Sequence, residues 1–176
     1  EESRSSRTIH RRHEIIAEKL ERLRDRGISA LELARHFLLG GRKRKGLKYG
    51  LAGIDNNEVE GNPAAALPVL EKLRRAAEKA GRVTRAKILF SLAMALGPED
   101  NPETTLKFVE EYREAIPKNE EPARRARIEG LAAECCGRLD KTKDAEAAWQ
   151  RALALSRDDQ REYVRILLSY QLVLEA

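Results

Sequence analysis

The stretch closest in composition to a phosphate-binding loop is the basic segment 41–48, Gly-Arg-Lys-Arg-Lys-Gly-Leu-Lys. A phosphate-binding loop places Lys and then Ser or Thr directly after its last glycine, because these side chains reach phosphate oxygens and Mg²⁺. Here Leu47 and Lys48 follow Gly46, so the lysine and the hydroxyl side chain are both absent from the positions where a phosphate-binding loop needs them. We therefore predict no nucleotide site in this segment, and no cofactor is implied elsewhere in the chain.

The cationic run Arg42-Lys43-Arg44-Lys45 has a second reading, because clustered cations gain affinity for nucleic acid through counterion release. The alternative is a solvated turn between two helices, and no aromatic residues are interleaved for base stacking. We favour the solvated turn. A nucleic-acid-binding helical protein that uses the basic N-terminal half is kept as the second hypothesis.

Metal binding and thiol chemistry would need His10, His13, His36, Cys135 or Cys136. His10 and His13 are one helical turn apart, but no third ligand is near them in the sequence, so a packing role is expected for His13. Adjacent cysteines in a helix point about 100° apart and cannot form an ordinary disulfide. We predict no metal site and no reactive thiol, and we expect both Cys136 and Trp149 to lie in the core of the repeat.

Catalysis by a Ser/His/Asp set or by paired carboxylates has no support in the residue pattern, so we predict that this segment is not an enzyme. Charged residues make up 36% of the chain, hydrophobic residues 41% and aromatic residues only 5%. Helix formers dominate and no strand pattern is present, which predicts an all-α fold. No segment is apolar enough for a membrane span, and cytoplasmic localisation is expected.

Charge is distributed unevenly along the chain. Residues 1–50 carry 14 Lys/Arg against 7 Asp/Glu, whereas residues 51–176 carry 20 against 22. An electrostatic partner should therefore prefer the N-terminal portion. The chain also begins without Met, from which we expect that it was cut from a longer polypeptide or has lost disordered residues.

Apolar periodicity, caps and Gly or Pro breaks predict about nine helices joined by short connections. They span approximately residues 8–27, 29–39, 42–60, 63–80, 83–96, 102–116, 122–139, 142–155 and 159–176. The first carries one apolar stripe at spacings of four, three, four and three. That stripe consists of Ile9, His13, Ile16, Leu20 and Leu23.

One pattern of residue sizes recurs three times along the chain. A small residue is followed by a larger one in the first helix, and another small residue is followed by another larger one early in the next helix. Its members are Ala34, Phe37, Gly46 and Tyr49, then Ala93, Leu96, Thr105 and Phe108, then Ala133, Cys136, Ala145 and Trp149. Residues 123–157 resemble the tetratricopeptide repeat best, although Ala133 replaces its usual Gly and Arg157 its frequent Pro. The spacing is nearer ~40 residues than the standard ~34.

The resemblance implies antiparallel helix pairs stacked in a right-handed solenoid. Residues 61–176 would form the repeats, and residues 1–60 would be a basic helical segment leading into them. Residues 30–53 are similar to the segment that joins the nucleotide-binding module to the repeats in bacterial multidomain signal-transduction ATPases, some fused to Ser/Thr kinases. A regulatory or scaffolding role in such a signalling protein is the expectation, with any ATPase module outside this chain.

In repeats of this type, the first helix of each pair lines a concave groove that binds the partner. Carrying this over predicts a mildly basic groove with an apolar centre. Its residues would be Arg35, Leu38, Lys87, Phe90, Met94, Arg127, Glu134 and Arg138. An acidic or C-terminal peptide, another protein or a neighbouring domain would bind there through charge-assisted hydrogen bonds. The alternative is that these are ordinary exposed charges.

The last helix is apolar on nearly every side. Its apolar residues are Tyr163, Val164, Ile166, Leu167, Leu168, Tyr170, Leu172, Val173 and Leu174. Because a solenoid normally ends in a polar face, we expect further repeats to follow or two copies to pack through this helix.

Overall fold

A computed structural model describes residues 2–99 and 101–174, which fold into ten α-helices and a short 3-10 turn without any strand. The helices are α1 (Glu2–Arg22), α2 (Ala30–Leu39), α3 (Lys43–Asp55), α4 (Glu58–Gly61), α5 (Pro63–Ala76), α6 (Arg82–Leu96), α7 (Pro102–Ala115), α8 (Pro122–Arg138), α9 (Thr142–Ser156) and α10 (Gln160–Leu174). The predicted all-α fold is confirmed. Neighbouring helices pack tightly, which is consistent with a helical solenoid.

Asparagine followed by proline begins two of the helices, as the sequence predicts for Asn62 and Pro63. The side chain of Asn62 accepts a hydrogen bond from the backbone N–H of Ala65 at 3.1 Å, and Asn101 accepts one from Thr104 at 3.0 Å. Each cap satisfies one of the N–H groups that a helix start leaves without a partner. The proline that follows has no N–H to satisfy.

The predicted third helix, residues 42–60, is instead two helices, α3 and α4, which is why ten are found and not about nine. The break lies at Asn57, whose φ of 57° is left-handed and ends the helical path. This break turns Glu58 back towards α2. Its carboxylate accepts hydrogen bonds from Ser29 Oγ at 2.6 Å and from the backbone N–H groups of Ala30 and Leu31, both at 2.9 Å.

The first helix also differs from its prediction. It begins at Glu2, so Thr8 lies inside the helix and does not cap it. Ala17 is its fully buried residue, whereas Ile9, Ile16 and Leu23 of the predicted apolar stripe are exposed. The face of α1 that packs on α2 therefore contains Ala17 and lies to one side of the predicted apolar stripe.

Packing divides the chain into two compact units, unit 1 (Glu1–Ser91) and unit 2 (Leu92–Ala176). In unit 1, α1 packs on α2, α2 packs on α3, and α5 packs against both α2 and α3. In unit 2, α8 packs on α7 and α9, and α10 packs on α8 and α9. The division of the sequence at residue 60 concerns the repeat pattern and stays a prediction.

Glycines allow α3 to lie close to its neighbours. A Cβ atom added at Gly46 would stand 2.6 Å from the Leu38 side chain, and one at Gly50 would stand 2.4 Å from Leu73. Both distances are far shorter than a van der Waals contact, so a side chain at either position would require the facing leucine to move.

The packing register read from the repeats is confirmed in unit 2. Ala133, Cys136, Ala145 and Trp149 are all buried, with Ala133 completely enclosed. The α8 and α9 helices meet through these small residues, and the indole of Trp149 fills the space beside them. This pair of helices provides the frame on which the candidate site is built.

Candidate partner-binding site

Three of the predicted groove residues line one cavity in unit 2. Met94 of α6 and Arg127 and Glu134 of α8 surround it, and α10 closes it with Arg165 and Ile166. The cavity has a volume of about 170 Å³, and its remaining lining residues are Gly97, Pro98, Gly130, Leu131, Trp149 and Ser169. We call it the α6/α8/α10 cavity. α6 and α8 are the first helices of two of the predicted pairs.

Charges of both signs surround an apolar floor in this cavity. Burial raises the pKa of the Glu134 carboxyl, and the nearby Arg165 and Arg138 oppose this effect only partly. Arg165 is ion-paired with Glu162 one turn earlier in α10.

Gly130 explains why there is room for a cavity at this point of α8. A Cβ atom there would lie 3.6 Å from the Trp149 ring and 4.0 Å from Ile166, which is ordinary contact. Since glycine leaves that volume empty, the cavity floor is formed by the ring of Trp149 and the side chain of Leu131.

Arg138 lies at the end of α8 outside this cavity. Its guanidinium is 3.7 Å from the carboxylate of Glu99, and its side chain is half exposed. In unit 1, Arg35 is exposed and lies 3.6 Å from Glu32, and Leu38 packs over Gly46.

Lys87 is ion-paired with Asp55 at the end of α3, and Phe90 is half-buried. Of the eight predicted groove residues, Met94, Arg127 and Glu134 are the three that line the α6/α8/α10 cavity.

A buried ionic cluster in unit 2 was missed by sequence reasoning. Glu129 of α8 is 8% exposed and accepts two hydrogen bonds from Arg113 of α7, at 2.9 and 2.7 Å, and one from Arg151 of α9 at 2.8 Å. Burial alone would raise the pKa of Glu129, but the hydrogen bonds from both arginines outweigh it and hold the pKa below its usual value. The sequence signal that could have indicated this cluster is Glu129 itself, an acidic residue on an otherwise apolar face of its helix.

This cluster borders a second cavity of about 360 Å³, which includes Tyr112, Ile116 and Leu155. Its polar atoms are already engaged with one another, since Glu129 joins α7, α8 and α9. We therefore assign the cluster to holding three helices in place.

Both cysteines are buried and reduced. Burial raises the pKa of the Cys135 thiol to about 12 and also raises that of Cys136. Because the thiolate is the nucleophilic form, neither side chain is activated for chemistry at neutral pH. Cys136 lies in the core beside Ala133, as predicted from the repeat.

His13 and His36 form a contact between α1 and α2. Their Nδ1 atoms are 2.9 Å apart, and His36 Nε2 lies 3.0 Å from Glu32. Burial lowers the pKa of His13, and the charges of His36, Arg35 and His10 lower it further. Within the described residues no group of three or more His, Cys, Asp or Glu is arranged to hold a metal ion. The expected packing role of His13 is thus observed.

Two of the four cations in the run at residues 42–45 are engaged within unit 1. Arg42 pairs with Glu14, and Lys45 donates to Glu21 at 2.7 Å while its ammonium lies 4.8 Å from the centre of the Phe37 ring. These contacts tie the run to α1 and reduce the charge it offers to phosphates. Glu21 also accepts a hydrogen bond from Tyr49 at 2.6 Å.

None of the described helices is both long and apolar enough to traverse a lipid bilayer. Comparison of the chain with protein-family models, with curated proteins and with solved structures finds no match.

Proposed function

We propose that this chain is a non-enzymatic helical-repeat module that binds a segment of another protein or of a neighbouring domain, and that the α6/α8/α10 cavity is the contact site. The observation that carries the proposal is the convergence of Met94, Arg127 and Glu134 on one cavity. The repeat register predicts the same three residues for the groove.

The chemistry of the cavity favours one side chain of a protein partner over a small-molecule ligand. Its volume of about 170 Å³ is below the ~300–1,000 Å³ of small-molecule and cofactor sites. An apolar side chain would fill the floor formed by Leu131, Trp149 and Ile166. Arg127 and Arg165 at the cavity would bind a carboxylate beside that side chain.

The wider setting rests on the resemblance to tetratricopeptide-like repeats and to bacterial signal-transduction ATPases. In that setting the module is a regulatory or scaffolding part of a larger cytoplasmic signalling protein. The engagement of Arg42 and Lys45 within unit 1 argues against the nucleic-acid hypothesis as the main function.

Peptide binding tests the proposal directly. Short fluorescent peptides with one leucine beside a free C-terminal carboxylate are titrated against the full chain and followed by anisotropy. We expect saturable binding, and weaker binding of the same peptides with an amidated C-terminus, because the arginines would lose their charged ligand.

Two arginines of α10 supply a matched pair of variants. Arg165→Glu reverses a charge at the cavity, whereas Arg161→Glu reverses an exposed charge one turn earlier. Only Arg165→Glu should weaken binding, by about tenfold or more, which corresponds to at least ~1.4 kcal/mol. Equal affinity of both variants, or tighter binding of duplex DNA or RNA than of any peptide, would refute the proposal.

A further inference from the structure

A second surface on this protein is the exposed apolar edge of α1, remote in sequence from the α6/α8/α10 cavity. Ile9 and Ile16 lie seven residues apart on α1 and are 49% and 39% exposed, and Leu23, seven residues further on in the turn that follows α1, is 39% exposed. A seven-residue repeat places side chains along nearly one line of a helix. We call these three residues the α1 strip.

The α1 strip is held in place by the opposite side of the same helix. Ala17 is completely buried against α2, and His13 contacts His36. A Cβ atom added at Gly40 would lie 2.9 Å from the backbone nitrogen of Glu14, so the two segments meet backbone to backbone. The strip is thus presented on a helix that is already formed and docked, which lowers the entropic cost of binding.

The complete pattern around the strip is that of a coiled-coil seam. His13 and Leu20 are half-buried and alternate with the strip at spacings of four and three. This is the spacing of the a and d positions through which two helices interlock. A partner helix lying along the strip would cover the exposed aliphatic groups and the open sides of His13 and Leu20.

Basic residues flank the strip. Arg12 and Lys19 are four residues before and three residues after Ile16, so they are its neighbours on the side away from α2, and both are exposed. On the α2 side, Arg35 lies near enough to His13 for their charges to interact. Residues 1–50 together carry 14 Lys/Arg against 7 Asp/Glu.

These flanking charges select the occupant. In an antiparallel pair of copies, Arg12 and Lys19 would face the same two cations, and in a parallel pair they would face Arg35. Like charges at these positions disfavour pairing, whereas glutamates on the other helix favour it. Nucleic acid would use the cations but would leave the aliphatic strip uncovered.

We propose that the α1 strip is a docking surface for an amphipathic helix of another protein or domain, with apolar residues at its a and d positions and acidic residues at its e and g positions. The helix packs its apolar face on Ile9, Ile16 and Leu23, and its acidic flanks pair with Arg12, Lys19 and Arg35.

The probe for the experiment is a labelled synthetic helix with Leu at a and d and Glu at e and g, titrated against the full chain by fluorescence anisotropy. We expect saturable binding. Replacing its e and g glutamates with lysines, or its a and d leucines with alanines, should weaken binding by about tenfold or more, because each change removes one half of the recognition.

Two adjacent isoleucines provide a matched pair of variants. Ile16 belongs to the strip, and Ile15 is 45% exposed but points about 100° away from Ile16 around the helix. Ile16→Asp should weaken binding of the glutamate probe by about tenfold or more, and Ile15→Asp should change it by less than about twofold. Circular dichroism of both variants checks that the helices are retained.

A charge exchange gives an independent check of orientation. Lys19→Glu should weaken the glutamate probe and strengthen the lysine probe. The proposal is overturned by the absence of saturable binding, by equal losses in Ile15→Asp and Ile16→Asp, or by equal affinity for both probes. It is also overturned if sedimentation shows a dimer of the chain that Ile16→Asp dissociates, because a second copy would then be the occupant.

Discussion

At the scale of single residues, charge and the absence of a side chain are the features that matter most in this protein. Glu129 brings a charge into the interior of unit 2, where Arg113 and Arg151 neutralise it. Gly46, Gly50 and Gly53 bring helices of unit 1 together because they carry no side chain. A hydropathy pattern predicts neither the buried ion pairs of Glu129 nor the close helix contacts at these glycines.

Replacing Glu129 with glutamine should make unfolding less sensitive to acid. A carboxyl whose pKa is lower in the folded chain stabilises the fold above its ordinary value of 4.5, and this contribution is lost as the pH falls through the folded pKa. At neutral pH we expect Glu129→Gln to lower the free energy of unfolding by roughly 1–3 kcal/mol, since the arginines are partly exposed and the pair is screened.

Urea denaturation between neutral pH and about pH 3 measures this effect. The difference in the free energy of unfolding between wild type and Glu129→Gln should decrease steadily as the pH falls below the ordinary pKa range of carboxyl groups. Glu110→Gln, an exposed carboxylate of α7, is the control and should follow the wild type. A gap that stays constant with pH would show that Glu129 is not the titrating group.

Two glycines of helices should respond to alanine in opposite directions. At Gly53 a Cβ atom would stand 2.7 Å from Leu31 Cγ and 3.1 Å from the Leu31 backbone nitrogen, so Gly53→Ala should lower the free energy of unfolding by roughly 1–3 kcal/mol. At Gly130 the nearest atom is 3.6 Å away. Gly130→Ala should raise it by about 0.5–1 kcal/mol, because alanine restricts the unfolded chain. Denaturant midpoints that move in the same direction would contradict this prediction.

At the scale of elements, helix pairs are set by small residues where two helices cross and by caps where one helix begins. In unit 2, α8 and α9 cross at Ala133 and Ala145, both buried. In unit 1, the backbone N–H groups at the start of α2 donate to the carboxylate of Glu58, which lies in α4. Both devices depend on two elements meeting in register.

Ala133→Leu and Ala145→Leu should each destabilise unit 2 by roughly 1–3 kcal/mol, because a larger side chain forces α8 and α9 apart. Ala147, which is exposed on α9, provides the control. Ala147→Leu should change the denaturant midpoint little. If all three variants unfold at the wild-type midpoint, the repeat register is wrong.

Glu58→Ala should cost about 0.5–2 kcal/mol, the range for loss of a helix cap. The backbone N–H groups of Ala30 and Leu31 would lose their acceptor, so their hydrogen exchange should accelerate more than that of the helix interior. Glu60→Ala removes an exposed carboxylate of the same short helix and should leave both quantities unchanged. Equal effects of the two substitutions would show that Glu58 is not a cap.

At the scale of the whole molecule, the chain divides into two compact units. Glu58 and its partners lie in unit 1, and Ala133 and its neighbours lie in unit 2. Each unit also carries its own candidate surface, the α1 strip in unit 1 and the α6/α8/α10 cavity in unit 2.

The effects of Glu58→Ala and Ala133→Leu should therefore add. Sites without shared partners combine within ~0.3–0.5 kcal/mol, so the double variant should lose the sum of the two single losses. Urea titration of the four proteins completes the cycle. A coupling energy above about 1 kcal/mol would show that the two interiors respond to each other.

Local signals in the sequence were sufficient for the class of fold, most helix boundaries and the repeat register. Asn62 caps its helix as expected, and Ala133 and Trp149 are buried as expected, because caps and helical periodicity act between residues close in the chain.

Contacts between distant residues decided the rest. The apolar stripe of α1 predicted burial, but α1 docks through Ala17 and leaves Ile16 exposed, since the position of α2 determines which face is covered. Arg113, Glu129 and Arg151 meet only when three helices pack. Likewise, the groove residues could be selected from the register, but only the tertiary structure brought Met94, Arg127 and Glu134 to one cavity, because helix packing sets which side chains meet.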